Sequence, residues 1–165
     1  MMRISRLIVL ITAYCLLAAF ASARLGESEP QLIERYGKAV MRTPDMMLEQ
    51  GKILKLADRL HFRTDDWNII AILVGEHCES ITYSKPGDWT EEQFRHLLEA
   101  NGGRAQWEEQ KTSTPKTHRQ WKRRDKTTAD WQMADGLVLK TPGYEKARED
   151  LKKQAKENAS KLPRF

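Results

Sequence analysis

Residues 59–84, which read RLHFRTDDWNIIAILVGEHCESITYS, decide the fold class. Residues 60–63 alternate between apolar and polar side chains, residues 67–74 are almost continuously apolar, and residues 80–84 alternate again. Alternation with a period of two is typical of β-strands, and a short apolar run bounded by turn formers fits a buried strand. The stretch therefore predicts consecutive antiparallel hairpin strands.

A helix is predicted directly after this meander. Thr90 and Gln93 have the spacing of a capping box, in which each side chain satisfies a backbone N–H at the helix start. Phe94, Leu97 and Leu98 follow at the i, i+3, i+4 spacing of one helical face. This is the best-defined helix of the chain.

A shorter helix is predicted before the meander. Ser28 and Gln31 form a second capping box, Leu32 and Tyr36 share one face, and Gly37 is a typical helix stop. Residues 38–51 then allow two interpretations, a further helical turn or a loop with an apolar foot.

The second half of the chain again shows strand patterns separated by turns. Strands are predicted at residues 105–109, 119–123, 128–133 and 136–140, with a loop at 110–117. Residues 143–165 carry many charges around a thin apolar stripe and predict a charged C-terminal helix and tail. The prediction is a single α+β domain at residues 24–142, with an antiparallel meandering sheet, packed helices and this charged C-terminal helix.

The start of the chain has the composition of a secretory signal peptide. Arg3 and Arg6 precede an apolar run at residues 7–20, and Ala21-Ser22-Ala23 fits a cleavage site. We therefore predict a signal peptide at residues 1–23 and export to the periplasm or the medium after cleavage near Ala23, with no membrane contact by the mature chain. An uncleaved anchor and a lipid anchor are the alternatives.

Composition restricts the function further. The chain has 165 residues, of which 31% are charged and 40% hydrophobic, so it contains enough apolar side chains to fold. The formal net charge of +5 is a weak bias toward acidic partners. Neither a G-x-x-x-x-G-K-[ST] nor a G-x-G-x-x-G motif occurs in the sequence, so we expect no nucleotide and no cofactor.

Cys78 is the single cysteine after the predicted signal peptide. One thiol makes neither an intramolecular disulfide nor a cysteine-rich zinc site. It either forms an intermolecular disulfide or packs as a small, partly buried side chain. His77 is adjacent, but neighbouring residues on a strand point to opposite sides, so a Cys-His nucleophile is not expected.

Residues 25–39 carry a resemblance. Gly26, Ser28, Leu32, Tyr36 and Gly37 resemble the opening of small secreted bacterial proteins. They are also remotely similar to the G-x-[ST]-x-x-x-[VL]-x-x-x-[LY]-G-x-P phrase of outer-membrane assembly lipoproteins with a fold like that of the β-lactamase inhibitor protein. Ala39 replaces the final proline of that phrase. The resemblance implies a non-enzymatic module that presents a curved antiparallel sheet to a protein partner.

No catalytic or metal site is predicted. His61, His77 and Cys78 lack the H-x-x-x-H or C-x-x-C spacing that places two metal ligands on one face. The carboxylate pairs at 65–66, 91–92 and 108–109 are explained by turn chemistry, helix capping and divergence on a strand, respectively. A hydrolase of envelope polymers that uses them is the alternative function.

The basic segment at residues 111–126 is the candidate binding site. Its predicted contact residues for a polyanion or an acidic partner are Trp121, Arg119, Lys122, Arg123 and Arg124. Charge would supply affinity and the indole would supply stacking. Trp67, Trp107, Trp121 and Trp131 are expected in the core, with an exposed aromatic interface as the alternative. The predicted function is an exported binding module for an envelope or secreted protein.

Overall fold

The computed structural model describes residues 25–103 and 105–160. The predicted signal peptide at residues 1–23 lies outside the described residues. The elements are α1 (Glu29–Tyr36), β1 (Met41–Glu49), β2 (Lys52–Thr64), β3 (Trp67–Val74), β4 (His77–Ser84), α2 (Glu91–Gly102), β5 (Trp107–Gln110), β6 (His118–Arg123), β7 (Thr128–Gln132), β8 (Gly136–Lys140) and α3 (Pro142–Ser160).

All eight strands belong to one antiparallel sheet with the order β1-β2-β3-β4-β8-β7-β6-β5. The chain therefore forms two successive units, each a helix followed by a four-stranded meander, and the last strands of the two units pair with each other. The expectation of a single α+β domain built on an antiparallel sheet is confirmed.

The helix starts follow from local sequence. In α2, the Gln93 N–H donates to Thr90 Oγ1 at 3.2 Å and the Thr90 N–H donates to Gln93 Oε1 at 3.0 Å, as the capping box predicted. In α1, the Ser28 N–H donates to Gln31 Oε1 at 2.9 Å. Both helices lie on the same face of the sheet, where Leu32 and Phe94 are buried in the core.

One core row crosses both units. Successive register partners in it are Leu60, Ala71, Ile81, Leu139, Ala129 and Trp121, all of them buried. Each unit contributes one alanine to the row, which keeps the side chains beneath its helix small. Because the row is continuous, the two units share one core.

The opposite face of the sheet is partly covered by α3. Tyr144 packs with Ala57 and Ile72, and its hydroxyl donates to Asp45 Oδ2 at 3.1 Å. Burial raises the pKa of Tyr144 to about 12, and the neighbouring Asp45 charge adds to this effect. The helix α3 contacts β2, β3, β4 and β8.

Strand β1 corrects the expectation of a helical turn or a loop at residues 38–51. Its apolar residues do not alternate in sequence, and Pro44 argues against a central strand. Tertiary contacts decide the conformation instead, because the carboxylate of Asp45 is buried and accepts a hydrogen bond from Arg59 Nε at 2.8 Å. Since β1 is the edge strand of the sheet, the missing N–H of Pro44 is tolerated there.

The tryptophans belong to the core, as expected. Trp121 and Trp131 are buried, and Trp67 and Trp107 are partly buried against the same cluster. Trp89 joins them, with its ring centroid 5.2 Å from that of Phe94. The indoles are therefore used for packing. In the part of the chain that the structure describes, no helix has the length and apolar composition needed to span a membrane.

Candidate functional site

The predicted basic site is divided between different environments. Arg119 lies on the helix side of β6, where its Nε donates to Glu109 Oε1 at 2.8 Å and its Nη1 donates to Glu91 Oε1 at 2.6 Å. Its guanidinium carbon is 4.9 Å from the ring centroids of both Phe94 and Trp121. Hydrogen bonding to Glu109 raises the pKa of Arg119 above its ordinary value, and Glu91 contributes further. This cation is held by internal partners.

Arg123 is also engaged within the fold. Its Nη1 donates to the Asn101 carbonyl at 2.7 Å, at the C-terminal end of α2, where a positive charge is favourable. The same guanidinium pairs with Asp125 and lies 5.4 Å from the ring centroid of Trp107. Arg123 thus joins the end of α2 to the β6–β7 turn.

Of the three remaining predicted contact residues, Trp121 contacts Arg119, whereas Lys122 and Arg124 lie elsewhere. Trp121 is buried, the exposed Lys122 belongs to the opposite sheet face through its pairing with Glu108 and Thr128, and the exposed Arg124 lies in the turn after β6. Of the five predicted residues, Lys122 and Arg124 have exposed charges. Lys122 lies on a sheet face and Arg124 lies in a turn, so the two do not form one patch. Polyanion binding by this segment stays a prediction.

Cys78 is buried, and desolvation raises the pKa of its thiol to about 12, with Glu27 and Glu79 adding to the shift. The adjacent His77 is exposed and its Nδ1 lies 3.1 Å from the Gly26 carbonyl, so the two side chains diverge as expected. A thiol in this environment remains protonated and is a poor nucleophile. Within residues 25–103 and 105–160, no three His, Cys, Asp or Glu side chains are close enough to hold a metal ion.

The acidic pairs are divided between several environments. Asp65 lies in a turn with a positive φ, and Glu91 begins α2 and binds Arg119. Glu108 and Glu109 point to opposite sheet faces, because Glu108 pairs with Lys122 and Glu109 pairs with Trp121. Glu91 and Glu109, from two different pairs, meet at Arg119, which binds both and lines one groove of about 530 Å³ with them.

A row of the sheet on the α3 side forms a different surface, which we call the open face. Its successive register partners are Met41, His61, Ile70, Thr82, Val138, Asp130, Gln120 and Gln110. Tyr144 of α3 packs on the next row, against Ile72. The central members Ile70, Thr82 and Val138 remain half-buried instead of buried.

Asp130 is the one acidic residue of this row, and three side chains bind it. Gln120 Nε2 donates to Oδ2 at 2.6 Å, His118 Nε2 lies 3.1 Å from the same oxygen, and Gln132 Nε2 donates to Oδ1 at 3.2 Å. Burial raises the pKa of Asp130, but these hydrogen bonds outweigh it and hold the pKa below the ordinary value. The carboxylate is therefore ionised and already satisfied at neutral pH.

A groove of about 420 Å³ lies beside this cluster and includes Val138 in its floor and Glu145 of α3 in its wall. A second groove, of about 590 Å³, opens between the two helices on the other face, and Trp67, Tyr36 and Leu97 line it. The sequence pattern predicts that Ser80 and Thr82 share one face of β4, but it does not predict the surface that Thr82 forms with the second unit.

Comparisons with family models, curated proteins and solved structures gave no match to this chain.

Proposed function

We propose that the chain is an exported, non-enzymatic binding module whose open face receives a protein partner. The observation that carries this proposal is the chemistry of that face. Its row continues across all eight strands, combines apolar Met41, Ile70 and Val138 with hydroxyl and amide side chains, and has Asp130 as its one carboxylate. The centres of protein interfaces are depleted in charge in the same way.

The rigidity of the surface supports the same function. Each strand beneath the row is paired, so the side chains project from a fixed backbone. A surface that is ordered before binding loses little conformational entropy when a partner docks. The charge of Asp130 is compensated by its own neighbours, which lowers the cost of covering it.

A non-enzymatic role is supported by the state of the reactive groups. Glu91 and Glu109 bind Arg119, and the Cys78 thiol is buried and protonated. Export rests on the sequence of residues 1–23. The charged C-terminal segment at residues 143–165 is proposed to limit the open face on one side through Glu145.

The test is capture of a partner by the immobilised chain from residue 24 onward, using an extract of exported proteins. Thr82→Arg and Val138→Arg each place a charge at the centre of the open face, and we expect each to lower capture at least about tenfold. His96→Arg adds the same charge to an exposed position of α2 on the other side of the sheet and serves as the control.

A partner that is retained by His96→Arg and lost by both open-face variants supports the proposal. Equal capture by all four proteins would place the interface elsewhere. An extract that yields no specific partner would contradict the proposed function.

A further inference from the structure

Exposed apolar side chains concentrate on one edge of the molecule. Seven large hydrophobic residues are exposed in the described part of the chain, and six of them lie between Ile33 and Ile53; Met133 is the exception. Scattered exposed apolar residues are normal, but a local concentration marks an interaction surface. Most of this surface belongs to β1, β2 and the turn between them.

The β1–β2 hairpin extends beyond the rest of the sheet. Strand β3 pairs with residues 58–64 of β2, so residues 52–57 have β1 as their partner and no strand on the other side. Leu48 and Ile53 are direct register partners in this extension and are 70% and 69% exposed. Because side chains alternate along a strand, Met46 lies on the same face as Leu48. Met46 is 46% exposed. We call Met46, Leu48 and Ile53 the hairpin patch.

The hairpin patch is held outward by the buried face of the same strand. Asp45 and Met47 alternate with Met46 and Leu48 and are buried. Asp45 accepts hydrogen bonds from Arg59 and from Tyr144 of α3. The two-residue turn at Gln50 and Gly51 has positive φ at both positions, which is typical of a tight hairpin. The patch is therefore a fixed feature of the fold.

The described chain begins at the same end of the sheet. Strands β1 and β3 run in the same direction, so the turn at Gln50–Gly51 and the turn after β3 lie at one end. The Gly26 N–H donates to the Cys78 carbonyl at 2.7 Å, directly after that second turn. Leu25, the first described residue, therefore lies near the end of the sheet where the hairpin patch projects.

We propose that the hairpin patch inserts into the surface of a lipid bilayer. Three apolar side chains are too few for a stable protein dimer, which buries roughly 800 Å² per partner. Edge pairing with a second copy is also opposed by Pro44 in β1, which offers no backbone N–H. A bilayer surface accepts a small apolar protrusion at little cost.

The flanking charges fit this placement. Lys52 is exposed beside the patch, and Lys55 is exposed as the register partner of Met46 and pairs with Asp58 at 2.7 Å. Lysine side chains can reach headgroups while their methylene groups cover apolar surface. Glu49 pairs in register with Lys52, so the hairpin has no strong net charge. Apolar insertion, rather than charge attraction, drives binding in this proposal, which revises the expectation of no membrane contact after cleavage.

The test uses the chain from residue 24 onward, which retains the whole core, and vesicles of phosphatidylcholine with or without added phosphatidylglycerol. We expect the protein to sediment with both types of vesicle, with little dependence on salt. The combined variant Leu48→Glu and Ile53→Glu should lose at least about tenfold in partitioning. Met133→Glu, at a position that is 61% exposed in the turn between β7 and β8, should bind as the parent does.

Other outcomes overturn the proposal. Absence of vesicle binding would do so directly. Binding that requires phosphatidylglycerol and disappears at high salt would assign the contact to basic residues. A lipid-free protein whose oligomeric state changes in the hairpin variant would identify a second copy as the occupant. Far-ultraviolet circular dichroism of both variants separates these outcomes from loss of the fold.

Discussion

The two units of the molecule have the same order of elements but differ in strand length and in aromatic packing. Each is a helix followed by a four-stranded meander, and they meet where Ile81 of β4 pairs with Leu139 of β8. The strands of the first unit have 9, 13, 8 and 8 residues, whereas those of the second have 4, 6, 5 and 5. The shorter strands of the second unit provide less backbone pairing per strand.

In the second unit, contacts between aromatic rings provide burial of apolar surface that the short strands alone would not provide. The ring centroid of Phe94 lies 5.2 Å from that of Trp131 and 5.5 Å from that of Trp121, and Trp89 stacks on the same ring. In the central row, Trp121 of the second unit has the position that Leu60 has in the first, and both units have an alanine on the following strand. Large rings bury more surface per residue, so a small sheet reaches sufficient burial with few positions.

An arginine has the same role in both units. Arg42 of β1 binds Glu29 in the first turn of α1 and Asp58 on the next strand. Arg119 of β6 binds Glu91 in the first turn of α2 and Glu109 on the neighbouring strand β5. The surroundings differ, because the side chain of Arg119 is 15% exposed and that of Arg42 is 47% exposed. The second unit therefore packs its arginine against the core, whereas the first unit leaves the equivalent arginine near the surface.

The largest expected effect comes from removing a ring of the second unit. Trp131→Ala should lower the free energy of unfolding by about 3–5 kcal/mol, because the cavity would lie against Trp89 and Phe94. Trp131→Phe should cost less, since its indole Nε1 has no hydrogen-bond partner among residues 25–103 and 105–160. Chemical denaturation followed by circular dichroism measures both.

The exposed Met133→Ala is the control for that measurement and should change the free energy of unfolding by less than about 0.5 kcal/mol. Because the two units share the core row, the Trp131→Ala protein should still unfold in one transition. Two separate transitions would show that the units are stable independently and would break the comparison.

Replacing the paired arginines should have an intermediate and unequal effect. Arg119→Met should lower the free energy of unfolding by about 1–3 kcal/mol, because it removes two ion pairs and the cation over Phe94 and Trp121. Arg42→Met should cost less than about 1 kcal/mol, since its pairs are solvated. Equal losses in thermal or chemical unfolding would contradict the view that Arg119 belongs to the core.

Local signals were sufficient for much of this architecture. Strand β3 has the predicted bounds because its apolar run lies between clear turn formers, and α2 begins at its capping box. The pairing of β4 with β8 joins residues that are more than 50 positions apart, and no local pattern specifies it. The open face depends on that pairing and was therefore not predictable from the sequence.

The basic segment shows the same limit at the level of single side chains. In the sequence, Arg119 and Arg123 resemble solvated charges. Their partners, Glu91 and the end of α2, lie about 20–30 positions earlier, so no local pattern reveals them. Strand β1 was missed for a related reason, since the partners of Asp45 are Arg59 and Tyr144. Long-range contacts override local preference at these sites.

The smallest expected effect concerns the attachment of α3. This helix follows the second unit in the chain, but Tyr144 packs on Ala57 and Ile72 and binds Asp45 of the first unit. Tyr144→Phe should therefore lower the free energy of unfolding by about 0.5–1.5 kcal/mol, while Asp45 keeps its bond to Arg59.

The pH dependence makes this prediction specific. The folded-state pKa of Tyr144 is about 12, above the ordinary value of 10, so the folded protein retains this proton more tightly than the unfolded chain. The associated stability is fully present below about pH 10 and is lost as the pH rises toward 12. Subtracting the unfolding free energies of Tyr144→Phe from those of the parent across this range should reveal a difference that declines with pH. A constant difference would mean that the hydroxyl of Tyr144 is not buried at the contact that joins α3 to the first unit.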